Sequence, residues 1–175
     1  MELRDQFRRR LQLNGFYVAG AGAFVAKHAF TDELAFGRPD KDDLTQAEEL
    51  AAACVEKLLA CNNPESLTEL NVDGDADAPY YVPKGVDGAP AKFLKAVPNT
   101  DFSKCDSCGA CARWCPMGSI NPEKPWEVTG ICIKCQACIR RCTKNAKCFT
   151  DEAFLSHVKM LEENYKKPAH NKLFF

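Results

Sequence analysis

The chain has 175 residues, 46% of them apolar, and a formal net charge of −1. That length holds one ordinary domain or two small ones, and the apolar share is that of a globular chain rather than a disordered one. The charge balance argues against a nucleic-acid binder. No run of about 18 apolar residues predicts a membrane span. The charged first residues carry no secretion signal, so the eleven cysteines predict metal ligation in a reducing, cytoplasmic setting rather than disulfides.

Residues 1–13 place Leu3, Phe7 and Leu11 at the spacing of an amphipathic helix, and Gly15 stands where a helix stop belongs. Phe16 to Val25 reads as a mostly apolar, buried strand loosened by glycines. Gly20-x-Gly22 lacks the third glycine of a phosphate loop, so close backbone packing is the better reading. Residues 27–43 form a loop, in which His28 has no neighbouring metal ligand and reads as structural.

A second helix starts near Asp43, with Thr45-x-x-Glu48 in the form of a capping box. Its expected apolar face is Leu44, Ala47, Leu50, Ala51, Cys54, Val55, Leu58 and Cys61, and Asn62-Asn63-Pro64 ends it. Cys54 and Cys61 read as small buried hydrophobes. Residues 1–61 thus predict helix, strand, helix: part of an α/β domain whose strand has no partner. Such a fragment exposes a strand edge and an apolar face, through which self-association or partner docking is expected.

Residues 62–100 read as an irregular connector rich in proline and glycine, with a short turn at Pro64–Leu70 and apolar anchors at Tyr80, Tyr81, Phe93 and Leu94. Asp73-Gly-Asp75-Ala-Asp77 resembles the start of a calcium loop. Ala78 and Lys84 stand where that loop needs glycine and glutamate, so a solvated turn is expected. Residues 151–165 predict a C-terminal helix with a stripe of Phe154, Leu155, Val158 and Leu161, capped by Thr150 or Asp151 and followed by a tail.

Between them, residues 101–150 contain two copies of C-x2-C-x2-C-x3-C: Cys105, Cys108, Cys111 and Cys115, then Cys132, Cys135, Cys138 and Cys142. This is the ligand spacing of a two-cluster [4Fe–4S] protein, in which the fourth cysteine of each run ligates the other cluster. The expected ligand sets are therefore Cys105, Cys108, Cys111 and Cys142 for one cluster, and Cys132, Cys135, Cys138 and Cys115 for the other. Structural zinc uses well-separated C-x2-C pairs, and these runs crowd too many thiolates for it. Cys148 lies outside both runs and reads as a free or packed thiol.

The copies match beyond cysteine. Ala110 aligns with Ala137, Arg113 with Arg140, and Gly118 with Asn145, the last pair being residue types that tolerate left-handed turns. Pro116 aligns with Thr143, whose amide offers an extra donor near one cluster. Eight Lys and Arg (Lys104, Arg113, Lys124, Lys134, Arg140, Arg141, Lys144 and Lys147) face Asp106, Glu123 and Glu127 in this window. Part of their charge is expected to offset the clusters, and the remainder either steers an acidic partner or forms a solvated basic face.

The window resembles a bacterial two-cluster ferredoxin. The whole chain is similar to the flavodoxin–ferredoxin fusion family, through Gly15-Phe16, Gly22-Ala-Phe24-Val25-x-x-His28, Gly37-Arg38-Pro39-Asp40 with Asp43-Leu44, Tyr81-x-Pro83 and Leu161-Glu-Glu-Asn164. The resemblance implies an α+β chain: a dicluster ferredoxin-like domain preceded by an incomplete flavodoxin-like α/β fragment. The family's FMN-binding loops would lie upstream of Met1, so two [4Fe–4S] clusters and no FMN are expected in this chain.

No general base, nucleophile or substrate pocket can be named, so an electron carrier or module is expected rather than an autonomous enzyme. Its partner would be a redox protein, of which a flavoprotein is one kind. The alternatives are the iron–sulfur part of a larger flavin oxidoreductase, and a metal-stabilised interaction module without redox turnover.

Overall fold

The computed structural model describes residues 3–67, 69–75 and 77–175. It is an α+β structure of short elements. In order these are α1 (Leu3–Leu13), β1 (Ala21–Ala23), α2 (Lys41–Leu59), a 3-10 turn (Pro64–Ser66), β2 (Asn99–Thr100), α3 (Ala110–Arg113), α4 (Ala137–Arg140), β3 (Lys147–Cys148), α5 (Glu152–Asn164) and β4 (Lys172–Phe174). No helix among the described residues is long and apolar enough to cross a membrane.

The chain divides into two compact units. One comprises residues 1–27, 35–81 and 167–175; the other comprises 28–34 and 82–166. This division cuts across the expected segments 62–100 and 151–175. The first half of the connector goes with the N-terminal elements and the second half with the cysteine window, while α5 and the tail part company.

In the first unit, α1 begins within the expected span, residues 1 and 2 lying outside the described residues. It ends as its sequence predicts. Gly15 takes φ +82°, its amide donates to the Gln12 carbonyl at 3.0 Å, and the Phe16 amide reaches the Leu11 carbonyl at 3.1 Å. That pair of bonds satisfies carbonyls the helix itself leaves open.

The expected buried strand over Phe16–Val25 is corrected. Only Ala21–Ala23 is extended in a sheet, and Phe16 and Tyr17 are exposed. The strand also has a partner: β1 pairs antiparallel with β4, Ala21 opposite Phe174 and Ala23 opposite Lys172. No alternation of side chains is needed for such a pairing, because the tail residues supply backbone donors and acceptors whatever their side chains. Both sheets among the described residues are two-stranded and antiparallel.

Close packing explains the glycine pair. A Cβ on Gly20 would stand 2.6 Å from Cys54 Sγ and 3.2 Å from the Phe174 carbonyl oxygen, and one on Gly22 would stand 2.7 Å from Leu50 Cδ2.

α2 starts at Lys41, not at Asp43. Asp40 is the N-cap, and Asp43 is the reciprocal member of the capping box: the Asp43 amide donates to Asp40 Oδ1 at 3.0 Å, and the Asp40 amide donates to Asp43 Oδ2 at 2.7 Å. Of the expected apolar face, Ala47, Leu50 and Cys54 are half-buried on the helix, while Leu44, Val55 and Leu58 are exposed. Asp43 is the buried residue of α2, 1% exposed. Arg38 donates to both of its carboxylate oxygens, and Asn171 Nδ2 donates at 2.7 Å. The Arg38 hydrogen bonds hold the Asp43 carboxyl far below the usual carboxylate range.

A depressed folded-state value gives stability that is present above the unfolded value of about 4 and is lost as pH falls through the folded one. Asp43→Asn is therefore expected to lower the thermal midpoint by several degrees at neutral pH, with the gap to wild type closing in acid. Melts at descending pH check this, and a gap that does not change with pH contradicts it.

In the second unit, Ala96, Phe149 and Phe154 form a core with Phe30, Phe93, Ile139 and Val158 packed against it. α5 is capped by Asp151, whose carboxylate accepts from the Phe154 amide at 2.8 Å. Phe154 is buried as expected, whereas Leu155 is exposed. The sequence reading missed His157. It is buried, with Nδ1 2.8 Å from the Lys84 carbonyl oxygen and its ring stacked on Phe93 at 5.2 Å. Of the expected anchors, Phe93 packs, while Tyr80, Tyr81 and Leu94 are exposed.

Candidate metal centres

The two cysteine runs fold alike, residue by residue. Each begins in a loop, turns through left-handed backbone, and enters a four-residue helix that carries its third cysteine. The left-handed positions recur at the 27-residue spacing of the repeat. Ser107 (φ +59°) matches Lys134 (+57°), Gly109 (+70°) matches Gln136 (+64°), and Gly118 (+59°) matches Asn145 (+50°). Gly109 and Gln136 are the N-caps of α3 and α4. The second copy holds these turns with Lys134 and Gln136, residue types for which left-handed backbone is costly. A local preference therefore does not account for them, and the surrounding structure must hold them.

The exposures match too. Cys111 and Cys138 are buried, Cys108 and Cys135 are exposed, and Cys105, Cys115, Cys132 and Cys142 lie between. Cys111 and Cys138 pack with Ile120 in a second apolar core, flanked by Cys115, Val128 and Ile139. Burial pushes both thiols up, Cys138 to about 11. One backbone amide in each half reaches a fourth-cysteine sulfur: Ser119 N to Cys115 Sγ at 3.4 Å, and Ala146 N to Cys142 Sγ at 3.3 Å. Amides aimed at sulfur offset negative charge there. The Thr143 amide is not such a donor among the described residues, and Pro116 lines one of the hollows described next.

The eight cysteines sort into two sets around two hollows. Cys105, Cys108, Cys111 and Cys142 line one, of about 320 Å³ including the part open to solvent. Cys115, Cys132, Cys135 and Cys138 line the other, of about 360 Å³ on the same measure. Each hollow thus takes three cysteines from one run and the fourth from the other. The lining is otherwise mostly apolar around the second hollow (Pro98, Ile120, Val128, Ile131 and Ile133 among it), whereas Asp106, Lys144 and Lys147 add charge to the first.

A [4Fe–4S] cube takes one thiolate on each corner iron, so its ligands surround a volume. A tetrahedral zinc instead draws four ligands to one point. Among the described residues no group of three or more His, Cys, Asp or Glu is placed to hold a metal ion. The residues present fit the cube: four thiols around each hollow, sulfur-directed amides, and a buried ammonium at Lys147 with no partner of its own.

The remaining sequence candidates stay apart from the hollows. Cys148 is exposed on β3. Cys54 packs under Gly20, and the Cys61 thiol donates to the Asn63 carbonyl at 2.6 Å. His28 is half-buried against Phe30, with Nδ1 accepting from the Phe30 amide at 3.2 Å. In the Asp73–Asp77 turn, where residue 76 lies outside the described residues, Asp73 accepts from Lys172 Nζ at 2.7 Å and Asp75 from the Asp77 amide at 2.9 Å.

Much of the basic charge in the window is used locally. Arg140 bonds Asp32 at 2.8 Å and the Ala29 carbonyl at 3.1 Å, and Arg113 donates to the Cys108 carbonyl at 3.0 Å. Arg141 lies over the Trp114 ring at 4.3 Å. Lys134 donates to the Leu94 and Cys132 carbonyls at 2.5 and 3.1 Å. Sequence reasoning had no signal for the burial of Lys134 and Lys147, because isolated lysines in a loop-rich stretch read as solvated.

A scan of protein-family models finds no match to the chain, and comparisons with curated proteins and with solved structures find none. Fold and site therefore define a class of arrangement: an α+β chain with two interlocked four-cysteine hollows.

Proposed function

We propose that the chain transfers electrons through two [4Fe–4S] clusters, as a ferredoxin-type carrier or module. The observation that carries this reading is the sorting of the eight cysteines into two sets of four, each completed by the other run. When bound, such a cluster supplies a one-electron couple, with potentials across the class spanning roughly −700 to +450 mV.

The chain's own residues do the rest. The eight thiolates anchor the irons, and the amides of Ser119 and Ala146 stabilise the charge on the crossing sulfurs. Ile120, Val128 and Ile139 keep water from the inner cysteines. Cys108 and Cys135, the exposed member of each set, mark the sides from which electrons enter and leave. The resemblance to flavodoxin–ferredoxin fusions makes a flavoprotein the first donor or acceptor to try.

Protein purified without oxygen and reduced with dithionite should develop a paramagnetic signal that disappears on reoxidation. A protein silent through that cycle would leave only the metal-stabilised interaction module.

A further inference from the structure

Two halves so alike invite the question of how an electron would tell the two sites apart. Cysteine exposure does not distinguish them, nor does the pattern of amide donors to sulfur. The position five residues beyond each fourth cysteine does. In the first copy it is Ile120, 3% exposed, which lines the hollow of Cys115, Cys132, Cys135 and Cys138. In the second copy it is Lys147, 4% exposed, which lines the hollow of Cys105, Cys108, Cys111 and Cys142.

Lys147 is held along one edge of its short strand. β3 pairs with β2, Lys147 opposite Thr100, and the neighbouring Ala146 carbonyl accepts from the Asp101 amide at 2.8 Å. Its Nζ is buried and has no hydrogen-bond partner among the described residues. An ammonium out of water without a counter-charge is strongly unfavourable. An anion in the hollow that Lys147 lines would supply that counter-charge, and four thiolates carrying an iron–sulfur cube are one.

The other charges near the hollows do not cancel this difference. Asp106 and Lys144 also line the first hollow, but both are exposed, where opposite charges in water are weak and screened. The buried Lys134 keeps its charge while donating to the Leu94 and Cys132 carbonyls, but it does not line the second hollow.

Resting on the electron-transfer reading above, we propose that Lys147 is the positioning charge that makes the cluster held by Cys105, Cys108, Cys111 and Cys142 the first to be reduced. One electron from an external reductant adds one negative charge to the site. A buried cation at the wall stabilises that added charge, and the sec-butyl group of Ile120 at the equivalent wall does not. The two couples are then ordered, and an electron entering the pair settles on the Lys147 side.

The test is a potentiometric titration of the full chain with dithionite, followed by EPR. Cysteine β-proton NMR assigns each couple through contacts to Ala146 on one side and Val128 on the other. In wild type the couple of higher potential is expected to belong to the Cys105 set. Lys147→Met is expected to shift that couple's reduced-to-oxidised ratio at fixed potential by about tenfold or more, about 59 mV for one electron, and to move the other couple less. Lys147→Arg, which keeps the charge, should retain the wild-type order.

The inference is overturned if the Cys132 set is reduced first, if the couples coincide in wild type, if Lys147→Met moves neither, or if Lys147→Arg moves the couple as far as Lys147→Met. Should the methionine variant fail to take up iron, the wild-type assignment decides alone. A wild-type chain that binds no iron overturns the electron-transfer reading itself. Full iron loading with the wrong order overturns the role of Lys147 only.

Discussion

Combining Cys108→Ala with Cys142→Ala leaves about four irons per chain, whereas combining Cys108→Ala with Cys115→Ala leaves close to none. Both double variants remove two thiols, so composition does not separate them. Geometry does. Cys108 and Cys142 line one hollow and Cys115 lines the other, so the first pair spoils one site twice and the second pair spoils both sites once. If each run instead served its own cluster, the two results would exchange places. The choice of residues matters: Cys111 and Cys138 belong to the apolar core with Ile120, and their loss would mix a packing defect with a ligand defect. Cys108 is exposed, and Cys115 and Cys142 are half-buried. Iron analysis of the two double variants beside Cys108→Ala checks the expectation.

Stripping the metal is expected to abolish the fold of residues 99–149 rather than merely empty it. The regular elements there are two four-residue helices and two two-residue strands. Helices of that length do not persist in water, and neither does so short a ladder. Part of what would hold them is made of ligands, since Cys111 and Cys138 belong to the local core and Cys115 packs against its edge. The Lys147 ammonium would also face an apolar wall without an anion. Metal binding and folding are then one equilibrium. Hydrogen exchange on protein stripped by oxidation and chelation should show the amides of α3, α4 and β3 exchanging as in an unstructured chain. Protection unchanged from the iron-loaded protein would contradict this.

In the cysteine window the left-handed turns at Gly118 and Asn145 were legible, because those residue types carry their own turn chemistry. The helices α1, α2 and α5 were legible from their periodicity, and Gly15 and Asp151 act as the sequence suggests. The start of α2 moved from Asp43 to Asp40 because Asp43 plays the inner role of the capping box. It does so while bound by Arg38 and Asn171, and Asn171 is 128 residues away in the chain. The partner of β1 was illegible for the same reason: Lys172–Phe174 is a short tail with no strand signature, and its pairing is tertiary. Tyr80 and Leu94 read as anchors by residue type alone, yet an apolar side chain in an irregular stretch carries no periodicity to say which way it faces. Sequence alone does not separate Lys147 from the other seven basic residues of the window. Its burial depends on β2 and on the hollow beside it, neither of which a single sequence displays.

The most direct test of the central claim is the content of iron, acid-labile sulfide and zinc in wild-type protein purified without oxygen. Two cubes predict about eight irons and about eight sulfides per chain, with no zinc beyond trace. Stoichiometric zinc with no labile sulfide would contradict the account.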